Sequence, residues 1–91
     1  MEYVFSKPYE FEGKTYDKIE FDLENLKGSD FAAAKKQFAK NGNFSVAPQA
    51  DSEFCALILE RVAKQPIDFF ENLPAKDYCA ITQQVANFLL G

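Results

Sequence analysis

The sequence predicts an α+β fold in which an N-terminal β-hairpin packs on three to four α-helices. Apolar and charged residues alternate over residues 9–12 and again over residues 19–23, a period of two that is typical of strands with one buried face. From about residue 29 onward apolar residues recur instead at intervals of three and four, as they do on the buried face of a helix. The 91 residues suit a single domain, with the hairpin over about residues 1–24 and the helical part over about residues 29–90.

The hairpin is predicted to turn at Gly13, because glycine readily adopts the positive φ that short hairpin turns need. Tyr16 is out of phase with the apolar residues that follow it, and a bulge near residues 17–18 would restore the alternation. Pro8 cannot donate a hydrogen bond to a strand ladder, so residues 3–7 are predicted to form an edge piece or a separate short strand.

The first helix is predicted over about residues 31–41. Ser29 or Asp30 can cap its N-terminus, because both residue types accept hydrogen bonds from free backbone N–H groups, and Gly42 would end it. Residues 43–50 are predicted to form a loop. The apolar face of this helix consists of Phe31, Ala34 and Phe38.

The second helix is predicted over about residues 53–64, with Asp51 or Ser52 as its cap. Its stripe is broad and consists of Phe54, Leu57, Ile58, Arg61 and Val62.

Two prolines divide the rest of the chain. Pro66 suits the first turn of a short third helix over about residues 67–73. Pro74 breaks that helix and opens the last one, which is predicted over about residues 75–90. The apolar stripe of the last helix consists of Tyr78, Ile81, Val85 and Phe88.

The charge balance disfavours a nucleic-acid partner. The chain has 14 acidic and 10 basic residues, a net charge of −4, and no basic stripe of the kind that displaces counterions from phosphates. Lys35, Lys36 and Lys40 form a small basic group on the first helix, which is interpreted as a solvated face.

No targeting or membrane segment is expected. Residues 1–3 lack the basic and apolar regions of a signal peptide. The longest wholly apolar run, residues 54–59, is far shorter than the roughly 20 residues that a membrane helix needs. We therefore expect a cytoplasmic protein with reduced thiols and no membrane partner.

The residues that carry most protein chemistry are missing or isolated. The chain has no His, so the commonest general base is absent. Without His, Cys55 and Cys79 cannot build a usual structural zinc site within one chain. Both are interpreted as free thiols, buried or half-buried on amphipathic helices. The four glycines stand singly rather than in a phosphate-binding loop. We therefore predict no catalytic activity, no cofactor and no metal site.

Several apolar residues exceed what the predicted elements can easily bury. Phe69 and Phe70 are adjacent, so a short helix cannot turn both fully toward one core. Leu89 and Leu90 pose the same problem, and Phe44 lies in the predicted loop. Either a small multilayer core reaches two faces of each helix, or these five residues anchor a protein interface, with self-association as one way to cover them.

Two other functional classes stay open. The dipeptide Asp51-Ser52 at a helix start resembles the site of an acyl carrier protein, which would be modified at Ser52. However, Glu53 follows where that family has an apolar residue, and the predicted hairpin has no place in an all-helical carrier. The other alternative is a small regulatory or adaptor module that binds proteins.

Five features of the chain occur in a fixed order. They are a short strand with a Pro (residues 4–8), a hairpin around Gly13, a Gly-x-Asp helix entry (residues 28–30), a Pro-containing turn with a short segment ending in Leu and Asp (within residues 62–78) and a final helix ending in Phe-Leu (residues 88–89). In this order the chain resembles, over about residues 3–90, the tail assembly chaperones of long-tailed double-stranded-DNA phages. The spacing of Leu73, Asp77 and Phe88 is part of the likeness.

This resemblance implies a non-catalytic function. Such chaperones coat the long, mostly helical tape measure protein and keep it soluble until the tail tube polymerises around it. In many phages a programmed frameshift also produces a longer form. The resemblance therefore implies the tape measure protein as partner, with the tail tube protein as a further one.

Overall fold

The computed structural model describes residues 1–43, 45 and 47–91, and of Gln49 it describes only the backbone. In this part of the chain the predicted α+β fold is confirmed, since a two-stranded antiparallel hairpin precedes a set of helices. The elements are β1 (Glu2–Phe11), β2 (Lys14–Glu20), α1 (Gly28–Lys40), a short 3-10 helix (Pro48–Ala50), α2 (Ser52–Ala63), α3 (Ile67–Glu71) and α4 (Ala75–Leu90).

The hairpin turns where the sequence predicts. Glu12 and Gly13 connect the strands, with φ angles of 50° and 80°. Two consecutive positive φ values are typical of a type I′ turn, whose twist matches that of the flanking strands. Residues 3–7 belong to β1 itself and do not form a separate strand.

The strand pairing contains an irregularity, but not in the strand where the sequence predicts it. Glu2–Val4 pair with Lys18–Glu20 and Tyr9–Phe11 pair with Lys14–Tyr16, so residues 5–8 of β1 face Asp17 alone. The predicted bulge therefore exists at the level of residues 17–18, but the extra residues lie on β1 and not on β2. Pro8 belongs to this stretch. Because the stretch is not paired in the ladder, the missing N–H group of Pro8 costs no hydrogen bond there.

The N-terminal ends of the first two long helices are held by aspartates. α1 begins three residues before the predicted start and its N-cap is Lys27, so the prediction of Ser29 or Asp30 as the cap is wrong. Asp30 lies in the first turn instead, where its carboxylate accepts a hydrogen bond from the Lys27 N–H (3.0 Å). Asp51 caps α2 as predicted and accepts a hydrogen bond from the Glu53 N–H (2.9 Å).

α2 is the centre of the core. Its residues Phe54, Cys55, Ala56, Leu57, Ile58 and Leu59 are all buried, because α1, α3 and α4 pack around it. The predicted stripe is wrong at Arg61, which is exposed and forms an ion pair with Asp30 of α1 (3.0 Å).

α4 covers the residues predicted for the last helix. Ile81 and Val85 are buried and Tyr78 is half-buried, but Phe88 remains 42% exposed and is not part of the buried stripe. Leu89 lies one turn beyond Val85, and it is Leu89 that packs against the core there. α3 is shorter than predicted, because it ends at Glu71, before Leu73 and Pro74.

Candidate protein-binding surface

A buried carboxylate ties the N-terminal strand to the C-terminal helix. Asp77 lies in the first turn of α4 and is only 1% exposed. Its Oδ1 accepts hydrogen bonds from the Tyr3 hydroxyl (2.7 Å) and the Ser6 N–H (3.0 Å), and its Oδ2 accepts one from the Ser6 hydroxyl (3.0 Å). The irregular stretch of β1 thus turns its Ser6 N–H toward α4 instead of toward β2. We call this set of residues, Tyr3, Ser6 and Asp77, the Asp77 latch.

The latch keeps Asp77 ionised at neutral pH. Burial raises the pKa of the Asp77 carboxyl, but the hydrogen bonds from Tyr3 and Ser6, together with the charge of Lys76, outweigh it and lower that pKa below its usual value. Burial and the bond to Asp77 raise the pKa of Tyr3 to about 12, so its hydroxyl remains a donor. All of the carboxylate's donors come from within the fold, so Asp77 is engaged in structure.

Phe69 is the centre of an aromatic cluster that fixes α3 to the hairpin. Its ring centroid lies 5.1–6.2 Å from those of five neighbouring rings, and its carbonyl oxygen accepts a hydrogen bond from the Tyr9 hydroxyl (2.8 Å). The neighbours are Phe5, Tyr9, Phe11, Tyr16 and Phe70.

Phe69 and Phe70 are both fully buried, so the idea that they anchor an interface at the surface needs correction. α3 lies against the hairpin through Phe69 and also packs on α2, so apolar partners meet two faces of one short helix. Two adjacent phenylalanines, which a single helix face could not bury, are therefore both buried in the core.

The other predicted interface residues have different surroundings. Leu89 is half-buried and packs on the core, whereas Leu90 is 59% exposed. Phe44 lies outside the described residues. Val4 is not among the predicted interface residues, but it is 63% exposed on the outer face of β1. Met1 and Phe88 are also exposed. Alternation of Val4 with the inward Tyr3 and Phe5 was the sequence signal that could have identified it.

The candidate reactive residues are separated in the fold. Cys55 is buried in α2, and burial together with the charge of Asp51 raises its pKa to about 11, so the thiol stays protonated. Cys79 is exposed on α4, so the prediction that it is buried or half-buried is wrong. Ser52 is the first residue of α2 and is exposed. The β-hairpin at the start of the chain distinguishes this fold from the all-helical fold of an acyl carrier protein. Among the described residues no group of three or more His, Cys, Asp or Glu side chains is placed to hold a metal ion.

The described surface has a groove between α1, α2 and α3. It has a volume of about 700 Å³, and an adjoining depression of about 260 Å³ extends it to Tyr78 of α4. Its apolar lining comes from Ala33 and Ile67, which are half-buried, and from Ala34, Ala56 and Leu57, which are buried. We call it the α1–α3 groove.

The charged residues at the α1–α3 groove are mainly acidic. Glu53 and Glu71 are exposed at its margin, and Glu60 accepts a hydrogen bond from the Ile67 N–H (3.0 Å). Arg61 also lines it, but its guanidinium is paired with Asp30. The groove thus combines apolar lining with negative charge.

Comparison with known proteins identifies the family of the chain. The chain matches, over residues 2–90, the family model described as phage tail assembly chaperone proteins, E, or 41 or 14. Searches of curated proteins and of solved structures find no match. None of the helices in the described part of the chain is both long enough and apolar enough to cross a membrane. The match covers nearly the whole chain, and we conclude that the protein belongs to the phage tail assembly chaperone family.

Proposed function

We propose that this protein binds a phage tape measure protein and keeps it soluble during tail assembly, by non-covalent contacts and without a chemical step. The observation that carries the proposal is the family match, which extends over residues 2–90. A chaperone that acts by binding needs exposed apolar surface for its client and enough charge to keep the complex in solution. The chain offers both, with a net charge of −4.

The end of α4 is a proposed contact for the client. Leu90 and Phe88 are exposed there, and Leu89 lies half-buried beside them. Aromatic residues such as Phe are enriched in protein interfaces, and adjoining exposed apolar side chains mark interaction sites. Phe44 stays a proposed contact on the basis of sequence alone. Phe69 and Phe70 would contribute indirectly, by holding α3 in place.

The proposed complex contains many copies of this protein along one long client. Under that arrangement each contact can be weak, because neighbouring copies on one chain act together. Contacts between copies would cover further apolar surface, so self-association belongs to the proposal. The tail tube protein is a further proposed partner, which would displace the chaperone as the tube forms. All of these steps would take place in the cytoplasm of the host bacterium.

Co-expression with the tape measure protein from the same phage tests this function. The client should be mainly soluble and should co-purify with this protein, and it should be mainly insoluble when expressed alone. Binding should survive moderate salt, since apolar contacts are little screened, and it should need neither nucleotide nor metal. A client that is equally soluble alone, or that never co-purifies, would refute the proposal.

A further inference from the structure

The α1–α3 groove has the features of a receptor for a helix. Its apolar residues lie between neighbouring helices, where the side chains of a third helix can interdigitate. Three of them are alanines, Ala33, Ala34 and Ala56, and such short side chains allow another backbone to approach closely. Leu57 and Ile67 are the larger apolar residues of the same groove; Leu57 is buried beneath it, and Ile67 is half-buried at its side.

The negative charge of the groove favours a basic occupant. Glu53, Glu60 and Glu71 contribute negative charge, while Arg61, the sole cation among the described lining residues, is paired with Asp30. A segment with acidic flanks would be repelled, whereas Lys or Arg beside an apolar stripe would meet carboxylates.

The described helices of this chain do not fit that requirement. α1 carries Lys35, Lys36 and Lys40, but its exposed apolar residues are alanines too small to fill the groove. α4 exposes Phe88 and Leu90 at its C-terminal end, whereas its one lysine, Lys76, lies in the first turn, about three turns away. A second copy of the chain is therefore a poor occupant.

We infer that the α1–α3 groove binds a basic amphipathic helix of another protein, with apolar residues at helical spacing and Lys or Arg beside them. The inference rests on the proposed function, because it identifies the kind of client segment that the chaperone would hold. It places that segment on α1, α2 and α3 and makes charge complementarity the basis of selection.

A designed peptide tests the groove without the natural client. The probe is a helix of about five turns, or about 18 residues, with Leu at intervals of three and four and Lys beside them. A second peptide keeps every Leu and replaces Lys by Glu. Binding is measured by fluorescence anisotropy on the full chain, and the contacted residues are located by amide chemical-shift changes in NMR.

A matched pair of double variants provides the control. The test variant is Gln37→Lys with Glu71→Lys, two exposed lining residues. The control is Gln83→Lys with Glu10→Lys, which changes net charge equally outside the groove. The glutamines are comparable, because each donates a hydrogen bond to the Asn four residues later on its helix (2.8 Å for Gln37 and 2.9 Å for Gln83).

The Lys peptide should bind the natural chain and the control variant, and the test variant should bind it about tenfold more weakly. The Glu peptide should not bind, and the shift changes should lie on α1, α2 and α3. Equal affinity for both variants, no binding of the Lys peptide, or shifts located elsewhere would overturn the inference. So would self-association that only the test variant abolishes, because the occupant would then be a second copy.

Failure of the groove and failure of the chaperone function are distinguishable. If the test variant solubilises the tape measure protein as well as the natural chain, the function stands and the groove inference is overturned. If the tape measure protein never co-purifies but the Lys peptide binds as expected, the groove inference stands and the proposed client is wrong.

Discussion

Replacing Asp77 by Asn is expected to lower the free energy of unfolding by about 2–4 kcal/mol at neutral pH. The carboxylate accepts three hydrogen bonds from Tyr3 and Ser6, and charge-assisted bonds of this kind contribute more than neutral ones. Asn keeps the size of the side chain but loses the charge, and its NH₂ group cannot accept. The residue is 1% exposed, so water cannot easily replace the lost partner.

The effect should depend on pH in a defined direction. The folded state lowers the pKa of Asp77, so the unfolded chain takes up a proton at higher pH than the folded one. The stability that Asp77 contributes is therefore fully present above the unfolded pKa, about 3.9, and is lost as pH falls through the folded value. The difference between the natural chain and the Asp77→Asn variant should shrink accordingly below about pH 4.

Urea unfolding at pH 7 and at successively lower pH measures both effects. Asp17→Asn serves as control, because Asp17 is an exposed carboxylate opposite the irregular stretch of β1. A double-mutant cycle with Tyr3→Phe should give a coupling energy of about 1 kcal/mol or more between Tyr3 and Asp77. If Asp77→Asn costs no more than Asp17→Asn, or if its cost is the same at low pH, the reasoning about the latch is wrong.

Further predictions follow from other parts of the fold. Phe69→Ala should lower the free energy of unfolding by about 3–5 kcal/mol in urea titrations, because it removes the centre of the aromatic cluster. Deletion of residues 75–91 should abolish cooperative thermal unfolding, since the hairpin loses the α4 side of the latch, and a retained transition with dispersed amide signals would contradict this. A thiol reagent should modify Cys79 rapidly in the folded protein and Cys55 only on unfolding, as mass spectrometry can check. Leu90→Asp should reduce any concentration-dependent mass in sedimentation while leaving thermal stability almost unchanged, because Leu90 is exposed.

Local signals in the sequence account for the parts of the fold that could be predicted. The turn at Gly13, the cap at Asp51 and the boundary at Pro74 each depend on the chemistry of one residue and its neighbours. The out-of-phase position of Tyr16 indicated that a bulge exists. It did not indicate which strand carries the extra residues, because extra residues on β1 and extra residues on β2 both disturb the alternation of inward and outward side chains across the hairpin.

Long-range contacts account for what the sequence did not reveal. An aspartate in a first helical turn is ordinarily a surface residue that favours the helix dipole, so nothing local marks Asp77 as the acceptor for Tyr3 and Ser6. The burial of Phe69 and Phe70 depends on α3 meeting both the hairpin and α2. The α1–α3 groove likewise depends on how three helices pack against one another, and the spacing of apolar residues within each helix does not predict that packing.

The latch and the groove occupy separate parts of the structure, and this separation has a testable consequence. None of Tyr3, Ser6 and Asp77 lines the α1–α3 groove, whose main part is lined by α1, Asn41, α2 and α3. Tyr78, the residue after Asp77, lines only the adjoining depression. Asp77→Asn should therefore lower the free energy of unfolding while the affinity for the basic designed peptide stays within about twofold, measured where the variant is still folded. The double variant with Gln37→Lys and Glu71→Lys should have a lower affinity for the basic peptide, while its free energy of unfolding changes little because both side chains are exposed. If Asp77→Asn lowers the affinity for the peptide as strongly as the groove variant does, peptide binding depends on the contact between α4 and β1, and the two sites are not independent.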